Sequence, residues 1–547
     1  MHLNEKFYSN DDISLLKQII AYYNNREYDI ALKMIHGRLL ALEVCKNSKE
    51  YFLKIELAGY LIDIGEEGRN KNAATEGLDI IVRERQNITG IITEGSIEYN
   101  LGNANGTLFK IQREEPGFKY VPENMELLIQ AKNHYWKAYK YEIEKLKTFR
   151  PELIVNLANS LSSCGRVVES IQYYDIAIKY YPSFPQAHAS RSKELLWLAQ
   201  LSGHSSINLI NQAKSGYEIA SKAEDIPNWL TSIWQKEAAK LQGQLQELGY
   251  NNKEIHRDME ETQKEFETLS MYRQFCINNH ITLSEHSLYC NCIGSRRDDL
   301  LICSPIHALV GEGIPIWEKV LNRLKSEFTF ARLLYYYSSQ NIESNFNSFD
   351  SEVMFSELYD AEYIGTKSEM LRTSFKLCFG LLDKIASSIC TLYDLADENE
   401  NIYFESFWNP RKQQNGSSKK NTRWETINSD YNISLLALYT QASDLNRKDG
   451  EWAFFKNWRN SLEHNHMALV EDNGKGKNIE YIENNCSLFY EVDKLYFQEK
   501  TLQMIQFTRS AIFNFVFLIR HEYLNKRDDK KESIKTVQIK FRDDENY

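Results

Sequence analysis

The sequence predicts an all-α protein in two parts, a solenoid of helical hairpins followed by a bundle of long helices, and three observations carry that prediction. Helix breakers are scarce, with nine prolines and 24 glycines in 547 residues, while Leu, Ile, Lys and Glu are abundant. A hairpin pattern with small residues at fixed offsets runs from Pro151 to Pro182. Beyond about residue 319, apolar residues recur at helical spacing over segments as long as Lys367 to Asp394.

In the first of these parts, Leu157, Ala158, Leu161, Gly165, Ser170, Tyr174, Ala177 and Pro182 fall at the offsets of a tetratricopeptide unit, a repeat of about 34 residues. Gly165-Arg166 marks the turn, Ser170 and Ala177 let two helices approach closely, Tyr174 is the aromatic knob, and Pro182 closes the second helix. Leu15 to Leu42 repeats the pattern around Asn24-Asn25-Arg26, with Ala31 at the small position. Tyr99 to Ala104 starts another unit that Glu126 to Lys147 completes; Pro185 to Leu201 pairs with Ile207 to Ala223, and Asn228 to Leu248 reads as a capping helix. That gives four or five tetratricopeptide-like pairs over residues 1–250. Such arrays bury a core only by stacking and leave a concave face, so a protein or peptide partner is expected on the repeats.

Residues 251–318 read as a connecting helix, Asn251 to Leu269, and a linker region in which Cys276, His280, His286, Cys290, Cys292 and Cys303 crowd together. No C-x2-C pair is present, and Cys290-Asn291-Cys292 holds its sulfurs awkwardly for one tetrahedral ion. Two readings stay open, the favoured one of buried thiols and surface histidines and the alternative of a zinc site; no cofactor is expected.

The bundle is expected over residues 319–528. Lys325 to Ser339 carries Phe328, Phe330, Leu333 and Tyr336; Lys367 to Asp394 carries Leu371, Phe375, Leu377, Leu381, Leu382, Ile385, Ile389 and Leu392. Ile433 to Leu445, Trp452 to Leu469 and Thr501 to Leu524 follow. The run Ala511 to Ile519 falls short of the roughly 20 apolar residues of a membrane span and reads as a buried helix. Residues 529–547 form a charged tail with a short strand expected at Thr536 to Phe541.

Chemistry concentrates in Trp458-Arg459-Asn460-Ser461-Leu462-Glu463-His464, which supplies a guanidinium, an amide and an imidazole within one and a half helical turns. Metal-free RNA cleavage needs these groups: a base near neutral pKa takes a proton from the ribose 2′-hydroxyl while charge builds on the phosphorus oxygens. His464 is the residue type for the base or acid. Arg459 can clamp phosphate with two parallel hydrogen bonds. Asn460 shares a helix face with His464 and would hold the scissile phosphate or orient the ring; Glu463 either pairs with Arg459 or is a surface charge. Arg459 and His464 lie about 140° apart around a helix, so two copies meeting at a twofold axis would converge on one phosphate better than one copy alone. Arg273 with His280, and Arg459 with His466, offer competing spacings.

This stretch resembles the R-x4-6-H motif of HEPN domains, in the form with Asn directly after Arg. The helix order, Ser374 to Ala386, and Leu436-Ala437-Leu438-Tyr439 are similar to a bacterial HEPN subgroup with tetratricopeptide-like repeats in front. The resemblance spans residues from about 270 to 525 and implies a four-to-five-helix bundle. It also implies a metal-independent endoribonuclease, often dimeric, acting as a toxin or as an antiviral effector of abortive infection, with the repeats in sensing or control. Arg459, Asn460 and His464 take the catalytic positions in that reading.

The balance of 65 basic against 76 acidic residues, a net charge of −11, argues against non-specific coating of nucleic acid. RNA contact must then be local, and Arg411, Lys412, Lys419, Lys420 and Arg423, with no acid between them, form a candidate phosphate grip. Nine cysteines at irregular spacing and a charged, polar start predict a cytoplasmic protein with free thiols and no membrane. The expected partners are an RNA substrate, such as tRNA or a single-stranded loop, and a second copy of the chain. The alternative is a protein-binding adaptor, or a nucleotide- or RNA-binding module, whose HEPN bundle is inactive.

Overall fold

The computed structural model describes residues 7–203, 206–249, 259–302, 308–309, 314–340, 349–356, 361–395, 401–408, 423, 432–471, 489–525 and 536–537. The chain divides into two compact units, Met1–Glu194 with Ala213–Gly243, and Leu195–Gln212 with Gln244–Tyr547.

The repeat half is helical throughout, in the order α1 (Asn10–Asn24), α2 (Tyr28–Ala41), α3 (Ser48–Glu67), α4 (Lys71–Ile88), α5 (Glu94–Arg113), α6 (Glu126–Tyr141), α7 (Pro151–Ser163), α8 (Val167–Tyr180), α9 (Pro185–Ser202), α10 (Ile207–Ser221) and α11 (Asn228–Glu247). Starts are chemically marked: Ser9, Asn47, Asn70 and Thr93 each accept a hydrogen bond from a backbone N–H of the first turn, a cap that stabilises by about 1 kcal/mol. Pro151 opens α7, where its missing N–H costs nothing. Gly165, at φ +78°, makes the α7–α8 turn in a left-handed conformation that disfavours a side chain.

The hairpin read from the sequence is present in detail. Tyr174 and Ala177 are buried, and the Tyr174 hydroxyl donates to Asn159 across the hairpin at 2.7 Å. Ser170 does more than keep the helices close, because it and Ser162 each donate to the buried Glu194 carboxylate at 2.6 Å. The tetratricopeptide offsets do not mark the α3–α4 hairpin. Helix α3 is buried on nearly every side, from Leu53 through Gly65, which erases its amphipathic period, and its buried Lys54 pairs with Glu84 of α4 at 2.7 Å.

The second unit continues with α12 (Met259–Glu267), α13 (Met271–Asn278), β1 (Ala308–Leu309), α14 (Ile314–Ser339), α15 (Thr366–Leu392), α16 (Ile433–Asn446), α17 (Ala453–His464), β2 (His466–Val470), β3 (Phe489–Asp493), α18 (Lys494–Asn525) and β4 (Thr536–Val537). Helix α15 packs against α14, α17 and α18, and α16 against α17 and α18. An aromatic knot ties α17 in place: Phe375 of α15 lies 5.3 Å from Phe455, 5.8 Å from Trp458 and 5.4 Å from Phe497 of α18, centroid to centroid. Aromatic pairs of this kind add about 0.5–1.5 kcal/mol each beyond their buried area.

One expectation needs correction, and two others are met in altered form. The helix expected to run to Leu469 stops at His464, and His466–Val470 instead pairs in parallel with Phe489–Asp493, so the bundle carries a small sheet. The terminal strand is realised at Thr536–Val537, antiparallel to Ala308–Leu309; the rest of Thr536 to Phe541 lies outside the described residues. Lys494–Glu522 is long and apolar enough by length and composition to cross a membrane, against the reading of Ala511 to Ile519 as too short, yet 83% of its most apolar window is buried inside the protein. It is the central helix of the bundle, with Arg509 and Asn514 buried and hydrogen-bonded to the Thr282 carbonyl and the Gln441 side chain.

Candidate active site at the end of helix α17

Trp458 is locked into the aromatic knot, and the neighbouring residue, Arg459, is thereby aimed at α15. There Phe379 and Asp383, four residues apart, share a face. The Arg459 guanidinium lies 5.4 Å from the centroids of both Phe379 and Tyr403. It makes ion pairs with Asp383 at 3.3 Å, Glu405 at 3.7 Å and Glu463 at 3.6 Å. Lys456, one turn earlier on α17, also reaches Glu405 at 3.7 Å.

The carboxylates differ in their setting. Glu405 is almost fully buried, with 5% side-chain exposure, while Glu463 keeps 34%. Burial pushes the Asp383 carboxyl up to about 6, although the Phe404 backbone N–H donates to it and Arg459 lies beside it; Glu405 and Glu463 add to the rise. Two buried polar atoms at this spot have no hydrogen-bond partner, the Nε–H of Arg459 and the Oε2 of Glu405. Unspent buried donors and acceptors are rare in folded proteins and invite a ligand or water.

Asn460 and His464 occupy the adjacent, solvent-facing side of the last two turns, and both are exposed. The His464 side chain is 74% exposed, and its Nε2 stands 3.9 Å from Glu463, the carboxylate that also faces Arg459. A ladder of charged groups thus leads from the exposed imidazole through Glu463 to the sheltered guanidinium. It can place a base or acid beside a fixed cation. Although Arg459 and His464 are about 140° apart around the helix axis, Arg459 Nε and His464 Nε2 face the same Glu463 oxygen, at 3.6 and 3.9 Å.

Residues 309–522 match the family model of the LA2681-like HEPN domain. The C-terminal region is a HEPN domain. No curated protein and no solved structure matches the chain.

The remaining sequence candidates separate around this HEPN site. Arg411, Lys412, Lys419 and Lys420 lie outside the described residues. Arg423 is buried and donates to the Phe407 carbonyl at 2.9 Å. His466 belongs to β2. Arg273, the competing arginine, is buried and bound to Asp298 and to the Ser295 and Arg297 carbonyls. Asp383, Glu405 and Tyr403 are site residues that motif reasoning missed. The only signal for Asp383 is a lone acid at the edge of an apolar helix face; Glu405 and Tyr403 come from an irregular segment with no pattern to read.

Outside the HEPN motif, His286, Cys290 and Cys292 bring one imidazole nitrogen and two sulfurs within 4.8 Å of one another. Hydrogen bonds from the Cys290 thiol, the His286 ring and the Gly294 backbone pull the Cys292 thiol down to about 3, against the opposing effect of burial. Cys276 and Cys292 are buried, and of the crowded residues His286, Cys290 and Cys292 form a convergent cluster. Cys303 lies outside the described residues.

Proposed function

We propose that the protein is a metal-independent endoribonuclease of the HEPN type that works in the cytoplasm as a toxin or antiviral defence effector. The observation that carries this reading is the sheltered Arg459, flanked by three carboxylates at 3.3–3.7 Å, next to an exposed amide and imidazole on the same helix end. Arg459 takes a non-bridging phosphate oxygen; Asn460 holds the phosphate against the helix end. His464 removes the 2′-hydroxyl proton, the oxygen attacks the adjacent phosphorus, and the P–O5′ bond breaks to leave a 2′,3′-cyclic phosphate and a 5′-oxygen that takes a proton from water to become a free 5′-hydroxyl. Because Arg459 and His464 are about 140° apart around the helix axis, two copies of the domain meeting across a twofold axis converge on one phosphate better than one copy alone. Single-stranded RNA or a tRNA loop suits such a site, because an unstacked nucleotide reaches the in-line geometry. The helical repeats take a protein or peptide trigger.

A second reading has its own support. Asp383, Glu405 and Glu463 already neutralise Arg459, which suits an inactive bundle used as a binding module. The two readings part in one experiment: total bacterial RNA is incubated in magnesium-free buffer with the protein and with its His464→Ala variant, and the new ends are mapped. Discrete cuts made only by the unaltered protein and ending in cyclic phosphate are expected. Cuts that persist in the variant, or that need magnesium, would overturn the assignment of His464.

A further inference from the structure

We infer that His286, Cys290 and Cys292 form a zinc-binding clamp in the loop that follows α13, a site independent of the HEPN motif and of the ribonuclease reading. The donor set is the first argument. Two thiolates and an imidazole are the soft and borderline ligands that select zinc over magnesium or calcium.

Geometry is the second argument. With metal–sulfur and metal–nitrogen bonds of about 2.3 and 2.0 Å, a tetrahedral zinc ion needs donor atoms roughly 3.5–3.8 Å apart. Here all three donor atoms lie within 4.8 Å of one another, and His286 Nε2 is 3.0 Å from Cys292 Sγ. The ion is accommodated by side-chain adjustments of under about an ångström. The awkward Cys-Asn-Cys spacing is resolved by the backbone: His286–Leu288 and Ile293–Ser295 form two short 3-10 turns that fold the loop back on itself. The Cys290 N–H donates to the His286 carbonyl at 3.0 Å, and the Ser295 N–H to the Cys292 carbonyl at 2.8 Å.

A third argument is the wall of the site. A Cβ on Gly294 would stand 2.9 Å from His286 Nε2 and 3.4 Å from Cys292 Sγ, so the backbone approaches the donor atoms more closely than a side chain at this position would allow. The Tyr289 ring packs edge-on to His286 at 5.0 Å and fixes the orientation of the imidazole. Cys292 is buried, whereas His286 and Cys290 are half-buried, which leaves solvent access to the fourth coordination position.

The loop's neighbours indicate what the ion does. Glu285, next to His286, pairs with Arg520 of α18 at 2.7 Å, and Arg520 also donates to the Leu301 and Ile302 carbonyls. On the other side, Asp298 binds Arg273 and Arg332. The clamp sits between these two anchors and holds the loop's fold where neither anchor reaches. A metal ion bound to the folded state alone stabilises it.

The test uses the full chain purified from zinc-supplemented growth without chelator. Metal analysis of the unaltered protein is expected to give about one zinc per chain, and exchange for cobalt(II) is expected to produce the intense near-ultraviolet thiolate-to-cobalt absorption. Cys290→Ser, at a half-buried position that tolerates the change, and His286→Gln lose zinc and that absorption, whereas Cys45→Ser in the first unit retains both. Chelation lowers the Tm of the unaltered protein and leaves that of Cys290→Ser unchanged. Zinc content near zero, zinc retained by both ligand variants, or intact-mass evidence that Cys290 and Cys292 are joined as a disulfide in freshly purified protein each overturns the assignment.

Discussion

Two arginine clusters in the second unit are built from the same residue types and behave in opposite ways. Around Asp298, two guanidinium groups serve one carboxylate: Arg332 approaches to 2.6 Å and Arg273 to 2.9 Å, and the Leu283 backbone N–H donates as well. Burial alone would raise the Asp298 carboxyl, but these partners hold it well below the usual carboxylate range. Around Arg459 the ratio is inverted. One guanidinium serves Asp383, Glu405 and Glu463 at 3.3 Å or more, Oε2 of Glu405 has no hydrogen-bond partner, and the Asp383 carboxyl rises to about 6. Both arginines that open the competing R-x-H spacings, Arg273 and Arg459, sit in these clusters. The saturated one closes a loop; the other lies beside an exposed histidine and is the one proposed to hold phosphate.

The comparison breaks most sharply at His464. His464→Ala is expected to lower RNA cleavage by about 10²–10⁴-fold, the usual worth of a general base, with an unchanged melting temperature because the side chain is largely exposed; a fall in melting temperature would return the residue to the fold. Asp298→Ala does the reverse. It strands two buried cations and is expected to cost about 3–5 kcal/mol of stability, measured by urea unfolding, and a near-neutral result would mean that the saturated cluster is not the structural one.

Asp383 gives a pH test. Its folded-state value of about 6 lies above the ordinary 3.8, so the folded protein holds a proton that the unfolded chain releases. Its contribution to stability is present in full below about 4 and is lost as pH rises through about 6. Asp383→Asn should therefore gain in melting temperature relative to the unaltered protein between pH 4 and pH 7; a difference that stays flat across that window would mean the carboxyl is not raised. The smallest effect is expected at Glu463→Gln, which removes an i,i+4 pair worth about 0.2–0.5 kcal/mol. Folding should barely change, and tighter RNA binding in a filter assay, as the carboxylate ceases to compete for Arg459, would sharpen the distinction between a closed and an open cluster.

Helices were legible wherever one face is apolar. The α7–α8 hairpin shows this, with Ser170, Tyr174 and Ala177 at their offsets and buried, as does α15, whose stripe from Leu371 to Ile389 faces the core. The α17 boundary was not legible, because Met467, Ala468 and Leu469 continue the apolar pattern of the helix while the strand they form depends on Phe489–Asp493, a non-local pairing that no local period records. The site was half legible. Arg459, Asn460, Glu463 and His464 lie on one short stretch, whereas Asp383 and Glu405 reach Arg459 only through tertiary packing. The zinc-ligand cluster was obscured for a similar reason: spacing counts residues along an extended chain, and two 3-10 turns bring Cys290 and His286 back together.

Strand β2 begins two residues beyond His464 and does not stand alone. Besides its ladder with β3, it receives the Tyr363 N–H on the Leu469 carbonyl at 2.7 Å, and the Glu471 N–H that follows it donates to the Ala361 carbonyl at 3.1 Å. Helix ends ordinarily fray, and a histidine on a final turn would sweep a wide arc. Here the chain leaves the helix straight into a ribbon held on both edges, so the imidazole rides on a mount secured from both directions. Amide hydrogens of Met467 to Leu469 should accordingly exchange with deuterium as slowly as those of the bundle core, and the ring should owe its freedom to its own two torsions rather than to the backbone beneath it.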